Sequence, residues 1–190
     1  MKKLLTIAGT IAAVLALSAP ASSDAIDPLT GKPLLSPRGG YAYTPIPRKT
    51  VSIDEKYAPN TIIVRTEEKR LYYVTERGTA IRYGIGVGRE GFTWSGTYSL
   101  TRKAEWPGWT PPAEMHARQP GLPQFMPGGP NNPLGARALY VGSTLYRIHG
   151  TNEPWSIGQE VSSGCIRMLN EDVVHLYNMA KVGARIIATK

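Results

Sequence analysis

From residue 60 onward the hydrophobic positions come in short β-branched and aromatic runs, each bounded by polar or glycine-containing stretches. Residues 61–66 and 71–75 are two such runs, and the polar Glu67-Glu68-Lys69-Arg70 between them predicts a hairpin. Residues 80–87 read as the next strand. Residues 96–104, 138–142 and 144–149 continue the pattern, and 184–189 end it. Only one segment carries a helical period. Val173, Leu176, Tyr177 and Ala180 recur on one face, Glu171 and Asp172 suit the positive end of a helix, and Gly183 follows its end. Asn170 has the side chain of an N-cap at that helix start. The pattern predicts a mostly β domain supported by one principal helix.

Three other stretches break this pattern. Residues 4–17 are apolar but too short for a permanent membrane helix, and Lys2 and Lys3 precede them. Pro20 breaks the run, and Ala19-Pro20-Ala21 has the small-residue spacing of a signal-peptidase site. Residues 1–21 are therefore expected to be a signal peptide cleaved near Ala21, which places the rest of the chain in the periplasm. The other reading of this segment is a retained anchor. No Cys follows the run, so lipid modification there is excluded. Residues 22–57 are rich in Pro and Gly without any period, and read as a flexible tether leading to a domain over residues 58–190. Between Trp106 and Pro133 lie eight prolines and four glycines, together with Trp109 and Phe125. A stretch of this length inside a compact domain is expected to be a lid or binding loop.

Charge narrows the partners. The chain has 22 basic and 14 acidic side chains; without the leader's two lysines it keeps 20 basic, a net of +6. Such a field attracts anionic polymers. Nucleic acid is the common partner of a basic protein, but an exported chain rarely meets it, so cell-wall peptides and glycan-linked acids are the expected ones. One cysteine, Cys165, has no partner within the chain for a disulfide. It is an intermolecular link, an inert packed thiol or a reactive one.

Gly86-Val87-Gly88-Arg89-Glu90-Gly91 fits the glycine spacing of a dinucleotide site, but Phe92-Thr93-Trp94-Ser95-Gly96 follows it where a helix would have to begin. These glycines are read as a tight β connection. The stronger pattern is His149-Gly150 followed, after a further 14 residues, by Cys165 within Ser162-Ser163-Gly164-Cys165-Ile166-Arg167. A thiol attacks a carbonyl as its thiolate, and an imidazole can take the proton. His149 ends one predicted strand and Cys165 begins another. Gly164 allows close approach of backbone to substrate, and the N–H groups of Gly164 and Cys165 are candidates for an oxyanion hole. Arg167, two residues on, shares the face of Cys165 in an extended segment and is suited to a substrate carboxylate.

At these residues the chain resembles the L,D-transpeptidase catalytic domain, or YkuD, family. The resemblance rests on Ile148-His149-Gly150-Thr151-Asn152, Ser156-Ile157-Gly158 and Val161-Ser162-Ser163-Gly164-Cys165-Ile166-Arg167-Met168. Tyr83-Gly84-Ile85-Gly86-Val87-Gly88, Gly128-Gly129-Pro130-Asn131-Asn132-Pro133-Leu134-Gly135 and Arg137-Ala138-Leu139-Tyr140 extend it over residues 60–190. It implies a β-sandwich-like fold with the Pro/Gly-rich lid. It also implies a peptidoglycan transpeptidase in which Cys165 attacks a stem peptide after the L-centre of a diamino acid and releases D-alanine. An acceptor amine, from another stem, a lipoprotein or an outer-membrane protein, then resolves the thioester. By the same resemblance His149 is the base, and the Gly150 carbonyl orients the imidazole in place of a carboxylate. The chain departs from the family pattern at Ser163, where many members carry a second His.

Ser163, Trp155 and Trp109 are further candidates for contacting substrate, and Trp155 and Tyr146 serve equally well as core aromatics. Glu153 and Asp172 could orient His149, but nothing in the spacing demands it. His116 and His175 are not expected to take part, and three scattered His with one Cys lack metal-ligand spacing, so neither metal nor cofactor is expected. A hydrolase of the same architecture would use the same thiol, and a non-catalytic wall-binding module would not use it at all.

Overall fold

The computed structural model describes residues 46–118 and 120–190. The expected signal peptide and residues 22–45 of the expected tether lie outside the described residues. The strands are β1 (Lys49–Ser52), β2 (Thr61–Arg65), β3 (Arg70–Glu76), β4 (Thr79–Gly84), β5 (Val87–Gly88), β6 (Gly96–Glu105), β7 (Arg137–Val141), β8 (Arg147–His149), β9 (Glu160–Ser162), β10 (Ile166–Arg167) and β11 (Arg185–Thr189). Two helices, α1 (Ala113–Arg118) and α2 (Asn170–Met179), and a 3-10 turn at Pro154–Ser156 complete the described elements.

Nine strands share one sheet in the order β1-β4-β3-β2-β11-β6-β7-β8-β10, and β5 pairs separately with β9. β2 lies deep in this order, between antiparallel β3 and parallel β11. Its unbroken apolar run follows from that position. Ile62 and Val64 enter the main core, while Ile63 packs on the opposite face against Val74 and Ala80. β6 is long enough to serve two neighbours. Its first residues pair with β11 and its last with β7, with an irregularity between Leu100 and Arg102.

The sheet folds back on itself. Tyr83 of β4 and Ile148 of β8 belong to one core cluster, although five strands separate their own in the sheet. On a flat sheet at ~4.8 Å per strand they would stand nearly 30 Å apart. The fold-over is sealed where Gly86, just after β4, exchanges two 2.9 Å backbone hydrogen bonds with Arg167 of β10. α2 packs on β7 and β8, sending Val173 and Leu176 into the main core and Val174 against Trp106 and Ala136. Lys103 donates to the carbonyls of Tyr177 and Ala180 at its end, which have no partner within the helix.

Three expectations change. The tether ends earlier than residue 57, because β1 pairs antiparallel with β4. Its pattern escaped notice because β1 is an edge strand with only Val51 half-buried. The 106–133 excursion adds a second helix, α1, to the one the pattern predicted, and an isolated bridge between Trp109 and Met126. Finally, Asn170 is not the N-cap of α2: Leu169 holds that position without a side-chain cap. The Asn170 amide is buried, accepts from the N–H groups of Ala136 (3.0 Å) and Thr151 (3.1 Å), and donates to the Thr151 carbonyl (3.0 Å). It ties the helix start to the two chain segments flanking His149.

Candidate functional site

β8 and β10 are parallel neighbours, with Ile166 opposite Ile148 and Arg167 opposite His149. Ile148 and Ile166 are fully buried in the main core. Alternation therefore turns Arg147 and His149 of β8, with Cys165 and Arg167 of the β10 segment, to the other face. Extending the register by one residue sets Cys165 beside Arg147. His149 then lies one diagonal away, about 8 Å between backbones from strand spacing and rise.

His149 is 4 % exposed, and its Nδ1 lies 2.6 Å from the Gly150 carbonyl. With Nδ1–H donated there, the other ring nitrogen is left as the proton acceptor. Burial lowers the imidazole to about 3, and the charges of Arg167 and Arg147 push the same way. The carbonyls of Gly150 and Leu134 act against them. The resting ring is neutral at any physiological pH. A side chain on Gly150 would collide with Asn170 Oδ1, so the clamp and the glycine that orients the ring require each other.

Cys165 keeps part of its surface exposed, with Sγ 3.9 Å from the Leu145 carbonyl. Protein packed round the sulfur pushes the thiol above its ordinary value. Arg147 opposes this through its backbone N–H, its charge and its guanidinium, and Arg167 adds a weaker pull. The turn carrying the thiol is held from both sides. Ser162 Oγ donates to the Cys165 carbonyl at 2.6 Å and accepts from the Gly164 N–H at 3.1 Å. Trp94 Nε1 donates to the Gly164 carbonyl at 2.6 Å, and the Trp94 ring stacks on Tyr146 with centroids 5.0 Å apart. Gly164 has φ +105°, and a Cβ there would stand 2.7 Å from the Tyr146 ring, so only glycine fits.

The sequence-predicted residues divide accordingly. His149, Gly150, Gly164, Cys165 and Arg167 come together at the two strand ends. The Gly164 N–H is engaged by Ser162. Arg167 is bound to Glu153 at 2.6 Å. Glu153 thus meets an arginine rather than His149, as does Asp172, whose partner is Arg48 at 3.0 Å. Ser163 is half-buried at the bend before Gly164, and Trp155 is half-buried in the 3-10 turn beside Glu153. Trp109 forms an isolated backbone bridge with Met126 in the 106–133 excursion. His175 sits against the Tyr83 hydroxyl at 2.8 Å. Sequence reasoning missed Arg147, Ser162, Trp94 and the clamp role of Asn170. Only Arg147 had a local signal, its place two residues before His149 on the same strand face.

Fold and site define a class: a β-rich domain that sets a thiol and a neutral imidazole on one face of two parallel strand ends. A family model described as the YkuD L,D-transpeptidase catalytic domain matches residues 59–187, and the chain belongs to that family. It is 41% identical over 159 residues to the probable L,D-transpeptidase YbiS of Escherichia coli K12, covering 79% of this chain and 50% of the relative. The chain spans about half the length of the curated relatives it matches. A solved Brucella melitensis chain, named as a probable carnitine operon oxidoreductase caia, is 42% identical with a TM-score of 0.52, covering 73% of this chain and 90% of that one. An L,D-transpeptidase from Mycobacterium smegmatis shares the fold at 21% identity and a TM-score of 0.51, over 68% of this chain and 58% of its own.

Proposed function

We propose that this chain acts in the periplasm as a peptidoglycan L,D-transpeptidase with Cys165 as its nucleophile. The observation that carries this reading is the parallel pairing of β8 with β10, which sets the thiol-bearing turn beside the strand that ends in a neutral, carbonyl-oriented imidazole. Cys165 gives its proton to His149, and the sulfur attacks the stem carbonyl that follows the L-centre of the diamino acid. The Cys165 N–H, with that of Gly164 if substrate displaces Ser162, faces the developing oxyanion. The carbon–nitrogen bond to D-alanine breaks, and the imidazolium returns its proton to the leaving amine. The amine of an acceptor, a second stem or an envelope protein, then attacks the thioester and regenerates the thiol. Family membership and the relatives' names support the substrate class. Arg167, Ser163, Trp155 and Trp109 remain the proposed contacts to substrate.

The test is incubation of the purified protein with tetrapeptide stems, alongside Cys165→Ala, with products read by mass spectrometry. Cross-linked stems with free D-alanine are expected from the unsubstituted protein only. Products that survive the substitution would overturn the mechanism. D-alanine release without cross-links would make water the acceptor.

A further inference from the structure

We propose that Arg147 is a further catalytic residue, whose guanidinium balances the negative charge on the Cys165 sulfur once the thiol proton has left. The proposal rests on Cys165 being the nucleophile but not on what it attacks.

Four observations converge on it. The β8–β10 register sets Arg147 directly beside Cys165 and on the same face, while His149 lies a diagonal further off. The backbone N–H, the charge and the guanidinium of Arg147 all act to lower the Cys165 thiol against the upward push of burial. The second arginine on that face, Arg167, is in an ion pair with Glu153 at 2.6 Å, whereas among the described residues no carboxylate lies within ion-pair distance of Arg147. Arg147 stands instead near the face of Tyr140, 5.4 Å from the ring centroid, and its buried Nε has no hydrogen-bond partner. The chain also has Ser163, not an imidazole, immediately before Gly164.

The titratable and charged groups on the face of Cys165 are therefore Arg147 and the neutral His149 from β8, and Arg167, already matched by Glu153, from β10. A buried imidazole is a poor place to keep a positive charge, so a resting thiolate–imidazolium pair is disfavoured. The S–H bond breaks with its electron pair staying on sulfur and its proton passing to His149. The fixed guanidinium then compensates the sulfur without itself exchanging a proton.

The experiment follows the alkylation rate of Cys165 by iodoacetamide against pH, using the full chain, Arg147→Met, Arg147→Lys and Arg167→Met. Arg147→Met is expected to raise the midpoint by a pH unit or more, making alkylation at pH 7 about tenfold slower. Arg147→Lys should recover most of the rate, and Arg167→Met should move the midpoint less than Arg147→Met. A midpoint unchanged in a folded Arg147→Met protein overturns the proposal, as does an equal or larger shift from Arg167→Met. Should circular dichroism show Arg147→Met unfolded, Arg147→Gln decides by the same two outcomes. Alkylation needs no peptidoglycan, so its result stands apart from that of the stem-peptide assay.

Discussion

Two buried groups give this domain opposing responses to acid, and two substitutions separate them. His149 in the folded domain titrates at about 3, against its ordinary value of 6.5. Between these values the unfolded chain takes up a proton that the folded one refuses. The stability it contributes is complete above its ordinary value and is lost as pH falls below it. From pH 7.5 to pH 5 the loss is about 2 kcal/mol, rising to about 5 kcal/mol below both values. Burial raises Asp172 from 3.8 to about 6, partly offset by Arg48. Here the folded state takes the proton first, so its contribution is complete below the ordinary value and is lost as pH rises through about 6. Over the same interval, acidification stabilises the fold by about 1.4 kcal/mol through this group. The two nearly cancel. Denaturant unfolding at pH 7.5 and pH 5 should therefore show His149→Gln gaining about 2 kcal/mol on acidification relative to the unsubstituted protein, and Asp172→Asn losing about 1.4 kcal/mol relative to it. Other titrating groups, His175 among them, are common to all three proteins. The same pH response in His149→Gln as in the unsubstituted protein would refute the buried neutral imidazole.

Asn170→Ala leaves two buried N–H groups and a carbonyl without their partner, so a loss of about 3 kcal/mol is expected in the same assay, with loss of the proposed transpeptidation in the stem-peptide assay. Gly164→Ala should cost about 2 kcal/mol through its positive φ and should displace Tyr146, seen as a change in near-ultraviolet circular dichroism together with slower alkylation of Cys165. Trp94→Phe keeps an aromatic ring but removes the hydrogen bond to Gly164, a cost of about 1 kcal/mol measurable by thermal unfolding.

Strands whose side chains announce their surroundings were legible before the structure. β2, β3, β6 and β11 carry enough apolar positions to be placed within a residue, whereas the single strand expected over 80–87 is divided into β4, ending at Gly84, and β5 at Val87–Gly88. β1 was not legible, because a strand that pairs along one edge and half-buries a single valine leaves no period to detect. Asn170 shows a different limit. An amide before a helical run is the ordinary signal of a cap, and only partners 19 and 34 residues earlier reveal its other use. Trp94 meets Gly164 across 70 residues with nothing local to mark it. Arg147 was within reach, since the alternation that places Arg167 with Cys165 places Arg147 with His149.

The seal between Gly86 and Arg167 bears on how the domain acquires its reactivity. The hydrogen bonds that fix the thiol-bearing strand join segments about 80 residues apart, and β11, the last strand, inserts beside β2, about 120 residues earlier. Such distant pairings form late, after local hairpins like β2–β3 and β3–β4. A chain that has not finished folding has the cysteine away from its arginine, its tryptophan brace and its oriented imidazole. The thiol therefore ripens only with the finished fold, and its rate of modification during refolding is a clock for the closing of the sheet.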